Sequence, residues 1–218
     1  MSETSKPMAV PVAHVLDPRL SQVLEYWLGA ELPTTESALA RKPLWFTKSE
    51  ATDEEIRHRF GALLQEALAG KLDGEAMEQP LGLLAVLIVL DQFTRNAYRG
   101  TPKSFAGDAK ARQLALKAID LGWDVDDAIP PVARIFMYLP LEHAEDMGMQ
   151  HSSVVAFEQL LQESAPAERA FFEGTLDYAH KHLDVIEQFG RFPHRNVILG
   201  RESTPEEKDY LSKPGAGF

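Results

Sequence analysis

The sequence predicts a single all-α domain with essentially no sheet. Three observations carry this. Segments with apolar residues at helical spacing follow one another from end to end, most of them open on a capping residue and close on a glycine, and no stretch alternates apolar and polar residues between hairpin turns.

Taken in order, Asp17 and Pro18 suit the N-cap and first position of a helix through LSQVLEYWL, which Gly29 ends. Thr52 and Glu55 have the spacing of a capping box, followed by Ile56, Phe60, Leu63, Leu64, Ala67 and Leu68 and a stop at Gly70. Pro80 opens a helix apolar nearly all round to Leu90, which predicts a central position with the polar DQFTRNAYRG segment, 91–100, at a rim. A helix from about Ser104 to Leu121 ends at Gly122, and another from Pro131 is broken or bent at Pro140. LEHAEDMGMQHSSVVAFEQLLQE reads as a short helical turn, an interruption at Gly148 and a further helix. Beyond Pro166 a long segment to Gly190 places Phe171, Tyr178, Leu183, Ile186 and Phe189 mostly on one side, and Thr204, Pro205 and Glu207 cap a last short helix. The domain is expected over 15–212, with flexible tails at 1–14 and 213–218, where Phe218 is able to dock.

A chain of 218 residues with 44% hydrophobic and 25% charged residues has enough apolar material for one core. The absence of cysteine excludes disulfides, thiolate metal sites, iron–sulfur clusters and a cysteine nucleophile. A formal net charge of -11 repels phosphate, which argues against nucleic acid and anionic membrane as partners. The run Leu81–Leu90 is about half the length of a membrane span. The opening MSETSKPMAV lacks the basic and apolar regions of a secretory signal, so a cytoplasmic location is expected.

Three constellations carry candidate chemistry. FGRFPHRNVILGR, 189–201, concentrates Arg191, His194, Arg195 and Arg201 in an acidic chain; guanidinium groups grip carboxylate or phosphate, and more often cap helices or pair with buried acids. In DQFTRNAYRG, Asp91 and Arg95 stand four apart as an ion pair, and Asn96, Tyr98 and Arg99 add donors beside an apolar floor. LEHAEDMGMQH supplies Glu142, His143, Glu145, Asp146, Gln150 and His151, while His180, Asp184 and Glu187 share a helix face. The Glu-x-x-His spacing of di-iron bundles occurs once, at Glu55 and His58, so no metal ligand set is assigned. Neither a nucleophile elbow nor a phosphate loop or dinucleotide fingerprint is present, so no catalytic residue and no cofactor is assigned. A faint echo pairs Gln92, Phe93, Arg95, Asn96, Thr101 and Pro102 with Gln188, Phe189, Arg195, Asn196, Thr204 and Pro205; related halves and coincidence both account for it.

DQFTRNAYRG, FMYLPLEHAED with Gln150, and FGRFPHRN with LGRESTPEE together resemble the bacterial domain-of-unknown-function family 924 over nearly the whole chain. Thr94 stands where that family commonly has proline, and Ala97 where a larger apolar residue is usual. The resemblance implies a tetratricopeptide-like multi-helix array and brings no reaction, substrate or cofactor. The leading functional reading is a groove in which Arg95, Arg99, Arg191, Arg195, His143 and His194 gather an anionic small molecule or peptide carboxylate, with Asp91, Asn96, Glu145, Asp146, Gln150, His180, Asn196 and Arg201 around it. The alternatives are a metal-dependent or acid–base enzyme using His143, Glu145, Asp146 and His180, a protein-interaction scaffold, and a purely architectural ion-pair network. Oligomeric state is not written in the sequence.

Overall fold

In a computed structural model describing residues 16–74 and 77–217, the elements are helical and no strand occurs among the described residues. Helix α1, Pro18–Leu28, is capped by the Asp17 carboxylate on Arg19 N and closed by Gly29 at φ 83°. That glycine is obligatory twice over, because a Cβ there would also meet the Ser37 carbonyl oxygen at 2.7 Å. Two short helices that the sequence reading lacks follow: α2, Thr35–Leu39, with a Thr34–Ser37 capping box, and α3, Lys42–Phe46. Helix α4, Glu50–Leu68, begins earlier than expected. The cap is Ser49, whose hydroxyl accepts from Thr52 N, so the proposed Thr52–Glu55 box is not the N-terminus: a better-placed hydroxyl lies three residues upstream.

Helix α5, Pro80–Leu87, passes into a π-helical turn, Ile88–Phe93, and then the short α6, Thr94–Ala97. Every residue from Leu83 to Leu90 is fully buried, as a helix apolar all round requires. Helix α7, Asp108–Asp120, is preceded by a separate 3-10 turn at Pro102–Phe105, so the expected helix from Ser104 is two pieces. Helix α8, Pro131–Glu142, continues two residues past Pro140 instead of breaking there. Pro140 cannot donate to the Phe136 carbonyl, yet the turn around it stays helical, with Met137, Tyr138, Leu141 and Glu142 all buried. Helix α9, Met147–Glu163, starts at the Asp146 cap and accommodates Gly148 in its first turn, where no interruption occurs. It packs as a hairpin with α10, Arg169–Phe189, closed by Gly190 at φ 66°. The buried face of α10 is Phe172, Ala179, His182, Val185 and Ile186; Tyr178 is half-exposed, which corrects the face assigned from sequence. A 3-10 turn, Pro193–Arg195, leads to α11, Asn196–Leu199, and then α12, Pro205–Leu211, which opens on the expected Thr204–Glu207 capping box.

The core gathers around α5. Trp27, Phe60, Phe93 and Phe136 interlock there, with Trp27–Phe93 ring centroids 5.4 Å apart and Phe60–Phe93 4.8 Å. Val185, Ile186 and Phe192 form a smaller apolar cluster under α12, with Phe189 and Tyr210 against it. No helix among the described residues is long and apolar enough to cross a membrane. The expected amino-terminal tail and Phe218 lie outside the described residues, whereas Gly217 lies against the His194 side chain.

Candidate functional site

The π turn is what carries Asp91 inward. One extra residue in the turn advances the phase of the helix and frees backbone carbonyls, and Thr94 recaptures two of them: its hydroxyl donates to Leu90 O at 2.7 Å, with Asp91 O at 3.2 Å. Asp91 is 1% exposed. Its Oδ1 faces His143 Nδ1 at 2.8 Å and Arg95 Nη1 at 3.0 Å, and Gln92 donates to Oδ2 at 2.6 Å. Burial by itself would raise the carboxyl pKa, but Arg95 and His143 outweigh it and hold Asp91 ionised; His143 is held neutral by burial and by Arg95. An ionised carboxylate beside a neutral imidazole places the proton on Nδ1, donated to Asp91.

Arg95 continues the network by gripping Asp108 with both terminal nitrogens, at 2.9 and 3.1 Å. Asp108 reaches it because α7 starts hard against the π turn. Gly107 is the spacer, since a Cβ there would overlap the Leu90 carbonyl oxygen. From the carboxyl-terminal segment Arg195 meets the same Asp108 at 3.5 Å and donates to the His143 carbonyl at 3.0 Å. Its guanidinium lies between the Phe105 and Phe192 rings, 4.7 and 4.5 Å from their centroids, and its buried Nε has no partner. Burial, followed by the field of Arg95, pushes the Arg195 pKa down to about 10.

On the other side of His143 stand Glu142 and His182, which the sequence reading did not single out as a pair. Glu142 is 3% exposed; Oε1 lies 3.1 Å from His182 Nδ1, and Oε2 has no hydrogen-bond partner. Burial, reinforced by the Asp91 charge, pushes its pKa up to about 8. His182 Nδ1 is also 2.8 Å from the Tyr178 carbonyl, and burial takes its pKa down to about 3. The His143 and His182 ring centroids are 6.1 Å apart.

The structure therefore brings together Asp91, Arg95, His143 and Arg195, with His194 beside Phe192, and distributes the other candidates elsewhere. Arg99 and Asn96 satisfy the buried Asp53 of α4, with Arg99 contacts of 2.5 and 2.8 Å and an Asn96 contact of 2.8 Å. Arg191 chelates Glu207 at 2.7 and 2.9 Å, and Asn196 donates to the same carboxylate at 3.1 Å. Arg201 chelates Glu145 at 2.6 and 2.8 Å, and Glu145 also accepts from Phe192 N. Asp146 caps α9, and the buried Gln150 amide donates to the carbonyls of Glu142 and Ala144. His180 is exposed on the outer face of α10 with Asp184 and Glu187; its neighbour two positions on, His182, is the one that turns inward. The spacing of Phe172, Ala179, His182 and Ile186 is the signal that would have identified it. Gly107 belongs to no motif read from the sequence and matters through the close approach of two backbones.

The family described as "Bacterial protein of unknown function (DUF924)" matches the chain over residues 23–215. A solved structure of a protein of unknown function from Agrobacterium tumefaciens is similar, with 36% identity, a TM-score of 0.74, and coverage of 88% of this chain and 96% of that one. No curated protein matches.

Proposed function

In a chain that belongs to the bacterial family of unknown function DUF924, we propose that the functional centre binds a small anionic molecule, a carboxylate or peptide carboxylate, at Arg195 beside the Asp91–His143 pair. The observation that carries this reading is the state of Arg195. It is a 93%-buried cation by its 7% exposure, its carboxylate contact is a single one at 3.5 Å to an Asp108 already chelated by Arg95, and its Nε–H is unmatched. An unmatched, buried, charge-bearing donor loses hydration without replacement, and an incoming carboxylate supplies the missing acceptor. Arg99, Arg191 and Arg201 do not share this property, since each is chelated by a protein carboxylate, so the reading contracts from a broad arginine groove to one guanidinium.

The test is a panel of monocarboxylates, dicarboxylates, carboxyl-terminal peptides and phosphates measured by thermal shift and calorimetry against the intact protein and Arg195→Gln. At least one carboxylate is expected to raise the Tm of the intact protein, with affinity falling tenfold or more in Arg195→Gln. Equal affinity in the variant, or no response to any member of the panel, overturns the reading.

A further inference from the structure

Glu142, His143 and His182 offer one ligand atom each, all within 4.8 Å of one another. These residues come from the end of α8 and the middle of α10, so the cluster exists only through tertiary packing. Three independent features give it the form of a metal site. First, Glu142 Oε2 is a buried carboxylate oxygen with no hydrogen-bond partner, the kind of atom whose lost hydration a cation replaces. Second, His143 Nδ1 faces the Asp91 carboxylate at 2.8 Å, the carboxylate–histidine arrangement that fixes an imidazole with its Nε2 lone pair directed at a metal. Third, His182 Nδ1 faces the Tyr178 carbonyl at 2.8 Å; a carbonyl only accepts, so that nitrogen carries the proton and Nε2 the lone pair. Both histidines are thus in the tautomer of Nε2 ligands, His143 held by Asp91 and His182 by the Tyr178 carbonyl, with Glu142 Oε1 also 3.1 Å from His182 Nδ1.

We propose that Glu142, His143 and His182 bind a divalent transition-metal ion, zinc(II) or a chemically similar ion, with three protein ligands and an open fourth position. Around a tetrahedral ion with nitrogen and oxygen ligands at about 2.0–2.1 Å, ligand atoms are about 3.4 Å apart, so the cluster closes by the order of 1 Å on loading, within reach of side-chain torsions. Asp91 is the positioning residue for His143, and Arg95 holds Asp91. Arg195 donates to the His143 backbone carbonyl, and the metal site itself does not depend on an anion bound there.

The experiment is calorimetric titration of zinc(II) and cobalt(II) into the full-length, chelator-treated protein, with the visible spectrum of the cobalt form recorded, for the intact chain and for Glu142→Gln, Asp91→Asn, His180→Ala and Arg195→Gln. One equivalent is expected to bind the intact chain and give a low-symmetry cobalt spectrum. Glu142→Gln, which preserves shape and neutral bulk, is expected to weaken binding by a hundredfold or more. Asp91→Asn should weaken it by 10–100-fold, the range for outer-sphere partners of ligating histidines. His180→Ala, an exposed histidine on the same helix, should leave metal affinity unchanged, whereas Arg195→Gln should still bind one equivalent of metal when carboxylate binding is lost, which separates failure of this site from failure of anion binding. Absence of stoichiometric binding, or affinity insensitive to Glu142→Gln, overturns the proposal. Long-range nitrogen–proton spectra of the imidazoles provide the second readout: two ring systems shift on loading if the assignment holds, and unchanged spectra reject it.

Discussion

Glu207 and Glu142 are buried alike, at 2% and 3% exposure, and yet are opposite kinds of residue. Glu207 accepts two bonds from Arg191, one from Asn196 and one from Thr204 N, and with Arg191 foremost its pKa is held down to about 2. Glu142 faces a neutral histidine with one oxygen and nothing with the other, and burial drives its pKa up to about 8. Depth of burial therefore says little about role. The number of acceptor positions filled by the protein itself separates a carboxylate that locks helix ends together from one that waits for a ligand. The same contrast divides the arginines: Arg99, Arg191 and Arg201 are matched, and Arg195 is not.

Removing a matched partner should have the largest effect. Glu207→Ala strands Arg191, releases Asn196 and destroys half of the Thr204–Glu207 cap, and is expected to destabilise by about 3 kcal/mol in urea denaturation. A loss under 1 kcal/mol would erase the distinction drawn between the two glutamates.

Glu142→Gln sharpens the comparison from the other side. In chelator-treated protein it is expected to be neutral or to stabilise by up to about 2 kcal/mol at pH 7, with the gain vanishing at pH 4. The sign follows from a folded pKa raised from 4.5 to about 8: the wild-type contribution is intact below the unfolded value and is lost as pH rises through the folded one, whereas glutamine carries no such penalty. Destabilisation comparable to that of Glu207→Ala would mean that Glu142 is architectural after all.

The smallest effect is expected in the acid limb of the stability curve. Glu207 has its pKa lowered from 4.5 to about 2, so its contribution is present above pH 4.5 and disappears as pH falls toward 2. Tm measured between these limits should fall less steeply in Glu207→Gln than in the intact protein, and parallel curves would show that the carboxylate is not preferentially ionised by the fold.

Much of the local structure was legible because its causes are local. Asp17, Pro18 and Gly29 bracket α1, Thr204 and Glu207 cap α12, and the unbroken apolar run of α5 is buried as its pattern requires. The Asp91–Arg95 pair was visible as an i,i+4 spacing. Elsewhere several local signals competed and sequence alone could not arbitrate. Ser49 displaced Thr52 as a cap, and α8 runs through Pro140 to Glu142. Of two histidines separated by two positions, and hence about 200° around a helix, the packed face chose His182 over His180.

The sequence by itself determined an all-helical chain, most of its principal helices, an acidic surface charge and a concentration of arginine and histidine in two short segments. Tertiary structure decided which of those charges meet. The π turn set the phase of Asp91, Gly107 let Asp108 reach Arg95, and the packing of α8 against α10 joined Glu142 and His143 to a histidine some forty residues away. Periodicity and capping act over one or two turns of a helix, whereas the satisfaction of a buried polar atom depends on every segment that surrounds it.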